Sequence, residues 1–590
     1  MSKVEITKRI EIVVSAVVIS FFVWFLVNQG WKIRWDVPWI YEGRDDFLHE
    51  MIIKKAVNWQ NIWTDEHLGY PFTQEMYGFP LVAFCSVWIG RIVGLFTKNY
   101  AIATNIYLLF CILFASGSFA YVANTLKVSN KAAILGGILF SFSQYSFSHN
   151  AHFAAICYGS VPLICLLCYY VYSGCYTSNR RFVGKCLIIC YIAACADPFY
   201  AFFGCFLILV CSLGALLCKE IKNFFLGIKF IFAIVISMCI NLYPCIVYAL
   251  NNSSNNAERT ANEAFYWGLK LIALVTPLYD KHPFSWIREK YIQNGLPTGE
   301  NISNYLGIFA IIGFIAIMLF TIALYYRGEL KEQKNTCTWK FISLLNMFAL
   351  LLGVSGGIGL AFAVLVTPQV RTYNRIFVFI YFCSMIAAML LLDFVYTQHF
   401  AKMKVGILAV IGLGIIMIHC IDIQILRAVP DYEKSETQYE ADSDFINDIE
   451  TSVGSGGKIL VLPWLTFPEN RTETDLTNYL SPLSGWFHSE NLYWSIGILQ
   501  GSGEDIILKD RYDTDNIDDI LKHAIEDNFD GIYIALDAYK NPSEIINGLQ
   551  NKTGVYPMYN KEQDACFFNI QHIAEESETN QVYIIPQKGF

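Results

Sequence analysis

The chain has 590 residues, 55% hydrophobic and 16% aromatic, with only 16% charged and a formal net charge of −8. Water-soluble domains average about 25% charged residues, so most of this chain is not solvated by water, and its acidic balance argues against a nucleic-acid surface. Most of the 18 cysteines lie in apolar runs (Cys165, Cys168, Cys186, Cys190, Cys205 and Cys211 among them). There they act as small hydrophobes, and neither a disulfide framework nor a zinc spacing is indicated.

The first apolar run, 11–28, follows Lys3, Lys8 and Arg9. It is longer than a signal-peptide core and lacks a small-residue cleavage site, so it reads as a retained first span. A polar, Trp-rich loop covers 29–78. Further apolar runs fall at 79–97, 101–122, 131–147, 154–173, 185–196, 199–218, 226–250, 305–326, 341–366, 376–395 and 405–423, interrupted by a second polar stretch at 251–303. Since about 20 apolar residues cross a hydrocarbon core of about 30 Å, the expectation is about 11 to 13 spans. Arg91 interrupts 79–97, which is therefore read as re-entrant or interfacial.

Lys and Arg in short loops set orientation. Lys3, Lys8 and Arg9 place the N-terminus in the cytoplasm. Clusters at Arg180, Arg181 and Lys185, at Lys219, Lys222 and Lys229, at Arg327, Lys331, Lys334 and Lys340, and at Lys402 and Lys404 read as inside. Loop 29–78, His149, Asp197, loop 251–303, the segment around Arg371 and the C-terminal region then face outside. Residues 1–428 are expected to form the transmembrane domain and 429–590 an extracytoplasmic soluble α/β domain. Within the latter, 458–463, 531–535 and 565–570 read as strands, and 515–527 and 543–549 as helices. The fold class is a mainly α, polytopic helical membrane protein with a C-terminal α/β domain.

The chemistry is expected in the loop Gly43-Arg44-Asp45-Asp46-Phe47-Leu48-His49. Ionisable groups kept at a membrane boundary are functional by default. Asp46 and His49, at i and i+3, share a helical face. Trp31, Trp35, Trp39, Trp59 and Trp63 flank them and draw the loop into the interface, where desolvation raises carboxylate basicity. Arg371 and Arg375 stand at i and i+4 just before an outer span end and suit a leaving phosphate. Snorkelling at a helix end is the competing reading for this pair. For His149 and His152 it is interfacial anchoring, and for Asp197 it is capping of the following helix.

Several short motifs accompany this loop. They are Leu68-Gly69-Tyr70-Pro71-Phe72, Glu75-Met76-Tyr77-Gly78-Phe79-Pro80, His149-Asn150-Ala151-His152-Phe153, Asp197-Pro198-Phe199-Tyr200, Ser303-Asn304-Tyr305-Leu306-Gly307 and Arg371-Thr372-Tyr373-Asn374-Arg375. Phe467-Pro468-Glu469 and Tyr493-Trp494-Ser495-Ile496-Gly497 follow in the C-terminal region. Together the pattern resembles the bacterial GT-C-fold membrane glycosyltransferases, relatives of the protein mannosyltransferase and YfhO-type families. The resemblance implies transfer of a sugar from a polyprenyl-phosphate carrier to a cell-envelope glycan or lipid acceptor on the outer face. It places the acidic base on Asp46, with Asp45 as alternate and His49 beside them. It implies substrate contacts from His149, His152, Arg371, Arg375, Glu75, Tyr77 and Tyr305. The pattern departs at Gly78, where an acid is expected, and no second acidic pair stands in 123–130, so a divalent cation is not indicated and no cofactor is assigned. A single displacement would invert the anomeric centre. The competing classes are a transporter or flippase, and a polymerase or ligase, of polyprenyl-linked glycans. A transporter of the usual kind shows paired inverted repeats, and none is evident.

Overall fold

A computed structural model describes residues 3–573 apart from 80–81, 150–151, 176–178, 252–258, 296–298, 328–334, 401–402, 469–473, 475–478 and 563. Pro80, Asn150, Ala151 and Glu469 of the motifs, and Lys331, Lys334 and Lys402 of the basic clusters, lie outside the described residues. Every apolar run of the sequence carries helix. Among the described residues seven helices are long and apolar enough to cross a membrane: Glu5–Val27, Tyr100–Thr125, Pro198–Leu217, Ile221–Asn241, Gly307–Tyr326, Thr336–Gly353 and Tyr373–His399. An eighth counts if Gly406–Asp422 and Ile425–Val453, bent by 48°, are one span. That is fewer than the 11 to 13 spans expected from the sequence, because the remaining apolar runs form shorter helices. The run 79–97 forms only Phe84–Val93, ten residues, which at about 1.5 Å per residue reaches half of the hydrocarbon thickness. Ser160–Ser173 is likewise short.

The outer surfaces of these helices carry side chains such as Phe22, Leu26, Phe232, Ile240, Leu319 and Leu413, all exposed, as lipid contact requires. Their inner faces share one core with Trp24, Trp39, Tyr107, Phe119, Phe140 and Tyr381. The result is a multi-pass helical membrane protein.

Loop 29–78 contains helix α1 (Asp45–Val57) and a hairpin of β1 (Thr64–Asp65) and β2 (Gln74–Glu75). The C-terminal sheet comprises β3 (Lys458–Leu462), β4 (Tyr493–Trp494), β5 (Gly531–Ala535), β6 (Met558–Tyr559) and β7 (Ala565–Asn569). Its order is β4-β3-β5-β7-β6. Strand β3 is parallel to β4 and β5, whereas β7 is antiparallel to β5 and β6. The two-residue alternation of a strand sends Ile459, Val461, Tyr533 and Phe567 to one face and Leu460, Leu462, Ile532 and Ile534 to the other. Helices Ile517–Glu526 and Pro542–Thr553 occupy the places read for them in the sequence.

The first loop and the C-terminal region are built into one core. Phe47, Met51, Trp63 and Leu68 pack with Phe445, Trp486, Trp494 and Phe567. Backbone bonds join them: Tyr70 N–H donates to Trp494 O at 3.0 Å, and Trp494 N–H to His67 O at 2.9 Å. Lys54 Nζ donates to the carbonyls of Trp486 and Phe487 at 2.8 and 3.0 Å. Of the five loop tryptophans expected at the interface, Trp39 and Trp63 are instead buried in cores, while Trp31, Trp35 and Trp59 are exposed.

Candidate active site

Gly43 turns the chain into α1 with φ +68°, and a Cβ there would come within 2.9 Å of the Ser481 backbone. Its carbonyl accepts from Leu480 N–H at 2.8 Å. This left-handed turn suits glycine. It sets Asp45 and Asp46 as the first two residues of α1.

The two acids then diverge. Asp46 is fully buried and its carboxylate clips the loop: Oδ2 accepts from Glu42 N–H and Oδ1 from Arg44 N–H, both at 2.7 Å. Burial pushes the Asp46 carboxyl up to about 6, with these two N–H groups pulling the other way. Asp45 instead faces a cavity of about 430 Å³ lined also by His49, His152, Asp197, Phe199, Trp267, Glu300, Arg371, Arg375 and Tyr479. At 3.6 residues per turn, i and i+4 align more closely than i and i+3, so it is Asp45 that shares the cavity face with His49. The geometry therefore departs from the expected choice of Asp46.

His152 Nδ1 lies 2.9 Å from Asp45 Oδ2, the two side chains 32% and 29% exposed. Tyr479 OH donates to Asp45 Oδ1 at 2.9 Å. Burial acts to raise the Asp45 carboxyl, but the charge and hydrogen bond of His152, with His49 and Tyr479, hold it below the ordinary range. Conversely, burial acts to lower His152, and Asp45 lifts it above its usual value. The pair is an ion pair reachable from the cavity. The His49 ring stacks on Phe153 at 5.3 Å and 12°, and burial takes it down to about 3. It is neutral, and its buried Nδ1 has no hydrogen-bond partner among the described residues.

In the same cavity wall, Arg375 grips Glu300 with Nη2 to Oε1 at 2.9 Å and Nε to Oε2 at 3.2 Å. Asn374 adds a donor to Glu300 Oε2 at 3.2 Å. Burial opposes the Glu300 carboxylate, but Arg375 and His149 hold it well below the ordinary range. His149 is buried behind this pair, with Nε2 3.9 Å from Glu300 Oε2, and does not line the cavity. Arg371 bonds Glu263 at 2.6 Å and is 26% exposed. Asp197 both caps and lines: Oδ1 accepts from Phe199 N–H at 2.6 Å, starting helix Pro198–Leu217, while buried Oδ2 is without a partner among the described residues.

Three expected contacts lie elsewhere. Tyr305 OH donates to Asp422 Oδ1 at 2.9 Å, where His282 also meets it at 3.1 Å. Glu75 and Tyr77 line a second cavity, of about 840 Å³. Trp494, in strand β4, is fully buried in the core shared with the first loop. Glu300, Trp267 and Tyr479 were not singled out in the sequence, for no motif marks them. Among the described residues no group of three or more His, Cys, Asp or Glu is placed to hold a metal ion.

No protein-family model matches the chain, and no curated sequence does. Solved structures similar to it include the following two. One is the archaeal oligosaccharyltransferase AglB from Archaeoglobus fulgidus, in complex with an inhibitory peptide and a dolichol-phosphate. It is 11% identical, with a TM-score of 0.44 over 100% of this chain and 76% of that one. The other is the Archaeoglobus fulgidus oligosaccharyltransferase in complex with Zn and sulfate. It is 12% identical, with a TM-score of 0.44 over 95% of this chain and 73% of that one.

Proposed function

We propose that this protein is a membrane glycosyltransferase that moves a sugar from a polyprenyl-phosphate carrier to a cell-envelope glycan or lipid acceptor on the outer face. One observation carries the reading: a cavity-facing Asp45–His152 ion pair shares a single cavity with Arg371 and Arg375 at the ends of apolar helices. The N-terminus is cytoplasmic in this reading, and 429–590 is an extracytoplasmic domain that roofs the cavity through Tyr479 and Pro468.

Asp45 takes the role first read for Asp46. The acceptor hydroxyl oxygen attacks the anomeric carbon, its proton passes to the Asp45 carboxylate, and the bond from that carbon to phosphate breaks with its electron pair leaving on the phosphate. A single displacement inverts the anomeric centre. A lipid phosphate is a weak base, so the departure needs charge stabilisation more than a proton. Arg371 supplies it from the cavity wall, and protonated His152 orients Asp45 and adds positive charge. Arg375, bound twice to Glu300, holds the wall in shape. His49, a neutral ring stacked on Phe153, forms part of the cavity wall beside Asp45.

The test is reconstitution of the full chain in liposomes with a panel of polyprenyl-phosphate sugars and extracted envelope glycan. Transfer with release of polyprenyl phosphate is the expected result. Movement of intact lipid-linked sugar across the bilayer without that release would overturn it in favour of a flippase.

A further inference from the structure

The cavity of about 840 Å³ is walled by three separate parts of the chain: residues 72–77 of the first loop, helix Tyr243–Asn251, and residues 498–504 of the C-terminal region. Two of these walls are fixed to each other. Gly69 N–H donates to Ile496 O at 2.9 Å and Gln74 Nε2 to Gly497 O at 3.2 Å. The third meets them through a ring ladder, in which Tyr77 stacks on Tyr248 at 5.6 Å and on Trp63 at 6.3 Å. The space is therefore held open by packing.

Its lining is chemically distinct from that of the first cavity. Phe72, Tyr77, Tyr243 and Tyr248 supply aromatic surface, Phe72 and Tyr243 being exposed. Glu75 and Glu504 are both exposed, and neither forms an ion pair or a side-chain hydrogen bond among the described residues. Asn251, Thr73 and Ser502 add neutral polar groups, and no Lys or Arg among the described residues lines the space. Two carboxylates without a cation repel phosphate and acidic sugars. They accept hydrogen bonds from hydroxyl or ammonium groups, while the rings cover apolar faces. The volume lies in the upper part of the range of about 300–1,000 Å³ for small-molecule sites, room for a short oligosaccharide.

The geometry points to a binding site for a neutral or amine-bearing oligosaccharide in this cleft, serving as the acceptor glycan's seat. This rests on the transferase reading above. The cleft adjoins the first cavity through one short segment: Tyr77 lines the former and Phe79 the latter. Phosphate chemistry and sugar recognition are thus divided between two spaces, one with arginines and one with carboxylates alone.

The experiment is saturation-transfer NMR on the full chain in detergent. The probes are a neutral tetrasaccharide (mannotetraose or chitotetraose), a tetragalacturonate as the anionic counterpart, and inorganic phosphate. Saturable binding of a neutral tetrasaccharide is expected, with no signal from tetragalacturonate or phosphate. Tyr248→Ala should weaken it at least tenfold. Glu75→Arg, an exposed change that leaves packing intact, should weaken it and admit tetragalacturonate. Absence of neutral binding, equal binding by both variants, or preference for the anionic probe would each overturn the site. Asp45→Asn should bind the tetrasaccharide as the unaltered protein does. Loss of the transferase reading would show instead as persisting sugar transfer in that variant, which leaves the binding result untouched.

Discussion

Arg375 and Glu300 form a largely buried pair, with side chains 11% and 19% exposed and two hydrogen bonds between them. Removing one partner of such a pair leaves a charge without its counterion and costs about 3–5 kcal/mol, whereas replacing both by apolar groups is often near neutral. Glu300→Met alone should therefore destabilise the protein by about 3–5 kcal/mol, because the guanidinium loses both carboxylate oxygens. Arg375→Met should cost about as much, since Glu300 retains only Asn374 at 3.2 Å and His149 at 3.9 Å. The double variant should fall well short of the sum, giving a coupling of about 2 kcal/mol or more. Reversible unfolding of the four proteins in mixed micelles measures the cycle. Additive single effects, or single effects below about 1 kcal/mol, would refute the claim that Arg375 is a structural cation held by Glu300.

Other consequences are as direct. Asp46 is raised from 3.8 to about 6, so the folded form binds more protons than the unfolded one between these values. This group's contribution to stability falls as pH rises through that window, by about 3 kcal/mol at about 1.4 kcal/mol per pH unit. Unfolding at pH 4 and pH 7 should show the drop in the unaltered protein and its absence in Asp46→Asn. His152 is raised above 6.5 by Asp45, so the stability it contributes is complete below 6.5 and is lost as pH rises through its folded value. Transfer should decline over the same alkaline range, and in His152→Gln that limb of the pH–rate profile should disappear. Lys54 sits 4.3 Å from the Trp486 ring centroid while bonding two carbonyls. Lys54→Met should loosen the contact between the first loop and the C-terminal region, read as faster proteolysis within 484–494.

Much of this arrangement was legible in the sequence because span length and charge bias are strong signals. They put the Asp45–His49 segment, His152 and Arg371 at the same ends of the helices, and the structure gathers them around one cavity. Strands β3, β5 and β7 were legible as short apolar runs; β4 and β6, two residues each, are too short to carry a period. The choice between Asp45 and Asp46 turned on about 100° of helical rotation, which depends on where α1 begins. Glu300 and Tyr479 come from distant segments, and Tyr305 is drawn off by Asp422; such pairings are set by tertiary contacts. Trp39 and Trp63 read as interfacial because the sequence does not reveal that Trp39 packs on Trp24 in the core of the membrane helices, or that the C-terminal region covers Trp63.

The most direct measurement is transfer from polyprenyl-phosphate sugar by Asp45→Asn and Asp46→Asn, each reconstituted as folded full-length protein. Asp45→Asn should lose at least a hundredfold in kcat, as expected for removal of a positioned base, while Asp46→Asn stays within about tenfold of the unaltered protein. Full activity in Asp45→Asn, or the reverse order of the two variants, would contradict the assignment of the cavity-facing Asp45–His152 pair as the centre of the chemistry.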